Sequence, residues 1–67
     1  MFKNELATDK GEQTRRHIFD CALELFRERG FDATTMQEVA VRAEVAKSAA
    51  YYYFPGKEAI IQAYYDA

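Results

Sequence analysis

The chain of 67 residues contains one cysteine, one histidine, one proline and no tryptophan. With Cys21 and His17 alone of their kinds, a single chain builds neither a disulfide framework nor a Cys/His zinc cluster. No nucleophile, acid and base fall together on one helical face, so catalytic residues, metal and cofactor are all expected to be absent and the chain is not read as an enzyme. No apolar run approaches the ~20 residues that span a bilayer. The start MFKNELATDKGEQ also lacks the apolar stretch of a signal peptide, and a cytoplasmic location without membrane contact is expected. Positive charge is scarce too: nine Lys and Arg stand against eleven Asp and Glu, a net charge of −2. Any binding to a polyanion then rests on a few phosphate contacts, with shape and multivalency supplying the rest.

What is present is helical. An apolar content of 49% with five Tyr and five Phe excludes disorder, and the three glycines and one proline are too few for the turns of an all-β fold. Ile18, Cys21, Ala22, Leu25 and Phe26 recur at i, i+3, i+4, i+7, i+8, which predicts a first helix from about Thr14 to Arg29 with the Cys21 thiol in its core stripe and His17 facing solvent. Gly30 allows a left-handed helix end, and Phe31 then falls where it can pack back on Phe26 in a Schellman motif. Residues 1–11 show no period and read as a flexible arm, with 12–67 as the domain. Lys3, Lys10, Arg15 and Arg16 are candidates for reaching a minor groove from that side, with a solvated tail as the alternative.

Residues Thr35 to Lys57 carry most of the functional signal. Thr35-x-x-Glu38 is a capping box, so a second helix starts near Met36 and buries Met36, Val39, Ala40 and Ala43. The segment Glu44-Val45-Ala46 interrupts it as a turn, and Lys47 restarts a helix whose inner positions are Ala50 and Phe54. Two short helices on a tight turn describe a helix-turn-helix, whose second helix can enter the major groove of DNA. Pro55-Gly56 ends that helix; a fourth opens near Lys57 and continues through Ile60, Ile61, Tyr64 and Tyr65 to the last residue without a cap, as in a fragment of a longer polypeptide. The fold class is therefore all-α, a helix-turn-helix three-helix domain plus the start of a fourth helix.

A helix turns about 100° per residue, so Tyr51, Tyr52, Tyr53 and Phe54 span a full circle and cannot all face one core. The ordered set Ile18, Ala22, Phe26, Gly30-Phe31, Thr35, Val39-Ala40, Ala43, Val45, Lys47, Tyr51, Phe54, Lys57 and Ile60 closely resembles the amino-terminal DNA-binding domain of TetR-family bacterial transcriptional repressors. The resemblance implies an operator-reading domain of a ligand-responsive repressor, bound to double-stranded DNA. It also implies a homodimer formed through a carboxyl-terminal domain absent from this chain, with a small-molecule effector bound there. Two positions depart from the pattern: Glu44 stands where the family usually has glycine, and Ala46 where it usually has Ser or Thr.

The candidate DNA contacts are Thr35, Gln37, Lys47, Ser48, Ala49, Tyr51, Tyr52, Tyr53 and Lys57. Lys47 and Ser48 lie in the recognition helix's first turn, where a lysine can donate to guanine O6 and N7, and small Ala49 permits close approach or contact with a thymine methyl. Tyrosine hydroxyls suit phosphate because the ring is rigid. By resemblance, Tyr51 and Tyr52 match positions that contact phosphate or a thymine methyl, and Tyr53 replaces a frequent phosphate-binding histidine; for Tyr53, simple packing beside Phe54 is the alternative. Thr35 offers a hydroxyl and free amides at a helix start, with capping alone as the alternative. A lysine at a helix start opposes the dipole, so Lys57 is expected to meet an external phosphate. A competing function is a small helical protein-interaction module that docks a partner through exposed tyrosines. Weak salt dependence of binding would favour it.

Overall fold

The computed structural model describes residues 2–66, with side chains described from residue 10 onward. Four helices follow in order, α1 (Phe2–Arg29), α2 (Met36–Ala43), α3 (Lys47–Tyr53) and α4 (Lys57–Asp66), with no strand among the described residues. Helices two to four start where the sequence predicts, and α3 stops one residue short of Phe54, which is its C-cap.

The first helix starts well upstream of the expected Thr14, within the segment expected as an arm. The reason is physical: Glu5, Leu6, Ala7, Lys10, Glu12 and Gln13 favour helix without any apolar stripe. A hydrophobic period marks where packing begins, not where the helix does. Among the described side chains Ile18 is the first that is fully buried, whereas Lys10 to Gln13 are exposed. Thr14 is mid-helix, its hydroxyl donating to the Lys10 carbonyl at 3.0 Å.

One core joins the helices. Ile18, Cys21, Ala22 and Leu25 of α1 meet Met36, Val39, Ala40 and Ala43 of α2, Ala50 of α3, Phe54 and Ile60, as the sequence pattern predicts. Burial pushes the Cys21 thiol pKa up, which suits a core residue and not a reactive thiolate. On the outer seam Arg29 pairs with Glu38 at 2.6 Å, and Arg42 reaches Glu24 and Glu28 at 3.3 and 2.8 Å. These pairs are open to water and contribute little stability. Arg42's hydrogen bond holds the Glu28 carboxyl below its ordinary pKa, so this contribution is present above the usual carboxylate range and lost as pH falls through it.

The helix ends explain the turns. Gly30 sits at φ 91° and donates to the Phe26 carbonyl at 2.8 Å. That is the single bond of an αL ending, in place of the Schellman pair expected there, while the anticipated contact of Phe31 on Phe26 is made with ring centroids 5.1 Å apart. The Schellman pattern belongs instead to α2: Glu44 N–H donates to the Val41 carbonyl at 3.1 Å and Val45 N–H to that of Ala40 at 3.0 Å.

Glu44 holds the left-handed geometry, φ 60° and ψ 42°, that the family's glycine would take. Ala46 caps α3 with extended backbone and no side-chain bond. Positive φ costs a side-chain-bearing residue about 1–2 kcal/mol, and glycine's larger unfolded-state entropy returns part of that. Glu44→Gly is therefore expected to stabilise the domain by about 1 kcal/mol, a rise of roughly 4–8 °C in melting temperature at this size. Ala46→Ser should add a further gain of about 1 kcal/mol from a restored N-cap. Thermal melts followed by circular dichroism measure both, and a lower melting temperature for Glu44→Gly would refute the strain at this turn.

Candidate nucleic-acid interface

Helix α3 is held by its inner side alone. Ala50 is 0% exposed and Phe54 2%, and the Phe54 N–H closes on the Ala50 carbonyl at 2.9 Å. That anchoring turns Lys47, Ser48, Tyr51 and Tyr52 to solvent, with Tyr52 81% exposed. Lys47 makes no ion pair among the described residues. Its ammonium and the Ser48 hydroxyl therefore sit at the start of the helix with donors uncommitted to the protein.

The other aromatics complete the circle predicted from the helix pitch. Tyr53 is half-buried beside the core, edge-on to Tyr52 at 5.0 Å, and its hydroxyl lies 4.0 Å from where a β-carbon on Gly11 would project. The Tyr53 ring thus packs against the core and Tyr52. Ala49 is half-buried and borders the exposed face without projecting from it.

At the start of α2 the capping box is complete. Thr35 Oγ1 accepts from Glu38 N–H at 3.2 Å, and Glu38 Oε1 accepts from Thr35 N–H at 3.2 Å. A hydroxyl that accepts in this way keeps its own O–H free to donate. Thr35 and Gln37 are both exposed, so the capping role leaves Thr35 open to a phosphate as well.

Lys57 has partners within the protein that the sequence did not show. Its ammonium donates to the carbonyls of Phe31, Asp32 and Thr34 at 2.8, 3.1 and 3.0 Å, and lies 4.6 Å from the centroid of the Phe31 ring. The lysine at a helix start thus faces backbone oxygens of the α1–α2 loop, which offset its unfavourable place in the helix dipole. Spacing along the sequence gave no sign of this, because the partners lie more than twenty positions away.

Two further residues matter that the sequence reading assigned elsewhere. His17, expected in solvent, is exposed but its Nε2–H donates to the Ala43 carbonyl at 3.1 Å, which fastens the end of α2 to α1 beside the turn. Arg15, a candidate for the minor groove, has its guanidinium 4.7 Å above the Phe54 ring. The Lys3 side chain lies outside the described ones.

Residues 18–64 match the sequence profile of the bacterial regulatory proteins of the tetR family. The chain belongs to the TetR family. It is the helix-turn-helix domain of a TetR-family transcriptional regulator, and the fold expected from the resemblance is the one observed. Among its relatives, an uncharacterised HTH-type transcriptional regulator, YuxN of Bacillus subtilis, is 37% identical over 82% of this chain and 20% of its own length. The regulator SrpR of Pseudomonas putida is 39% identical over 81% of this chain and 25% of its own. The A-factor receptor protein of Streptomyces griseus is 43% identical over 81% of this chain and 20% of its own. The chain thus spans a fifth to a quarter of the length of these TetR relatives. None of the described helices is long and apolar enough to cross a membrane.

Proposed function

We propose that this domain reads the operator of a ligand-responsive repressor, with α3 in the major groove and α2 against the backbone. The exposed face of α3 carries the reading: Lys47, Ser48, Tyr51 and Tyr52 turn outward from a helix whose inner anchors are nearly solvent-free. Among the described residues, no hydrogen bond or ion pair employs the polar ends of Lys47 and Ser48. Lys47, Ser48 and Ala49 meet base edges, Tyr51, Tyr52 and the Tyr53 hydroxyl meet backbone or a thymine methyl, and Thr35 and Gln37 meet phosphate at the start of α2. Residues 12–67 form the domain and 1–11 the arm, within which α1 extends upstream to Phe2.

The rest of the reading concerns the longer polypeptide. A further domain dimerises it and binds a small effector, in keeping with a relative named as a receptor. The regulator acts in the cytoplasm by occupying its operator, with no chemistry of its own.

In the full-length protein, Lys47→Ala is expected to weaken operator binding by about 1–3 kcal/mol and to relax preference at one base pair. Tyr52→Phe, which removes only a hydroxyl, should weaken all sequences alike. Anisotropy titrations against a panel of single-base operator variants separate the two effects. Unchanged affinity and base preference in both variants would refute the groove assignment, and binding insensitive to salt would favour a protein-docking face.

A further inference from the structure

We propose that His17 is a positioning residue for the recognition helix: its bond to the Ala43 carbonyl holds the α2–α3 turn against α1, where that turn lacks the usual glycine and N-cap. The consequence for operator binding rests on the function proposed above; the tie itself does not. The two ends of α3 are held unequally. At the carboxyl end Phe54 is 2% exposed, whereas at the amino end Ala46 makes no side-chain cap bond, Lys47 and Ser48 are exposed and Val45 is half-buried. Glu44 adds strain at the same turn, with a side chain at φ 60°. The end of α3 that carries the proposed base readers is therefore the one with the weaker local support.

The support comes from α1. The Schellman bonds at the end of α2 use the carbonyls of Ala40 and Val41, and no backbone N–H among the described residues reaches that of Ala43, the last residue of the helix. His17 Nε2 lies 3.1 Å from this oxygen, 26 positions away in sequence. A carbonyl only accepts, so the imidazole carries its hydrogen on Nε2. Cys21 Sγ is 3.9 Å from the same nitrogen, which sets the ring beside the core stripe of α1. Among the described residues, His17 is the one side chain hydrogen-bonded to any part of the segment from Ala43 to Phe54. Only Glu44, Val45 and Ala46 separate that carbonyl from Lys47, so where it is held decides where α3 begins. Without the bond, a buried helix end loses its partner and the turn keeps only the half-buried Val45 as an anchor.

Three measurements on the full-length protein test this. Nitrogen-15 shifts of the neutral His17 ring should mark Nε2 as the protonated nitrogen, and the opposite tautomer overturns the tie. In hydrogen exchange, the Ala49 and Ala50 amides close the first turn of α3 on the Ala46 carbonyl at 3.0 and 3.1 Å. His17→Leu, which has no donor, should speed their exchange more than that of the α1 core amides; a uniform change would mean general destabilisation and overturn the placement. In operator titrations well below the melting temperature, His17→Leu should bind about fivefold more weakly, the worth of one hydrogen bond. His17→Gln, which keeps an N–H donor, should recover most of that loss. Base preference and salt slope should stay as in the wild type, unlike those of a residue that itself touches a base or a phosphate, and a changed slope would make His17 a phosphate ligand and overturn the proposal. In an Ala46→Ser background, where the cap is restored, His17→Leu should cost about twofold or less, and an undiminished loss would overturn the compensation. If the wild-type protein binds no DNA, the functional reading fails, and the tautomer and the exchange pattern still decide the tie.

Discussion

Phe54→Ala is expected to leave the domain largely unfolded at room temperature. A Phe-to-Ala change in a core costs about 3–5 kcal/mol through lost burial and the cavity left behind. A domain of 67 residues, at about 0.05–0.15 kcal/mol per residue, has only roughly 3–10 kcal/mol in total. Among the described residues Phe54 is the largest fully buried side chain, with Phe19 at 6.3 Å and the Arg15 guanidinium at 4.7 Å, and its backbone caps α3. The substitution thus removes the main anchor of the recognition helix along with its volume. Phe54→Leu, which keeps an apolar side chain in the site, should melt lower but still cooperatively. Tyr52→Ala, two positions earlier and exposed, should change stability by no more than about 0.5 kcal/mol. Urea and thermal unfolding of the three variants give the order directly. If Phe54→Ala and Tyr52→Ala melt alike, the inner and outer faces of α3 have been exchanged, and the residues assigned to the groove change with them.

The contrast between these two aromatics shows what could be read from the sequence. Helical pitch alone required the run Tyr51 to Phe54 to fan out, and the apolar spacing with Ala50 selected Phe54 as the inner member. The capping box at Thr35 was legible for the same reason, being fixed by neighbours within a few residues, whereas the left-handed conformation of Glu44 was expected only from the glycine the family usually has there. Contacts between distant positions were not legible. Lys57 looked like a misplaced cation because the carbonyls that hold it belong to the loop after α1, and His17 looked idle because its acceptor is the last residue of α2. The upstream part of α1 was missed for a third reason, since its sequence carries no hydrophobic period. The candidate site was therefore clearest where local rules dominate, along the outer face of α3, and least clear where tertiary packing redirects a side chain, as at Tyr53 and Lys57.

Residues 1–67 alone are expected to bind a complete operator about 10²–10⁴-fold more weakly than the full-length regulator. The electrostatics of the single domain give little help. Of the three cations in the motif, Arg42 is paired with Glu24 and Glu28, Lys57 is docked on carbonyls, and only Lys47 is exposed without a partner. With a net charge of −2 as well, few counterions are released on binding and the salt-dependent attraction is small. Operator affinity then depends on joining two such domains at a spacing of about 34–36 Å, one turn of DNA, so that the second contact becomes intramolecular. The proposed dimerisation domain supplies that linkage. Anisotropy titrations of residues 1–67, checked for helical content, against a single half-site and a complete operator should give nearly the same affinity per half-site. The full-length dimer should prefer the complete operator strongly and show about twice the salt slope of the single domain. Fusing residues 1–67 to an unrelated dimerising segment with a linker long enough to span both half-sites should recover much of the lost affinity without adding a contact to DNA. An isolated domain that equals the full-length protein on the complete operator would mean that one copy of α3 and α2 suffices, and the bivalent reading of this regulator would fall.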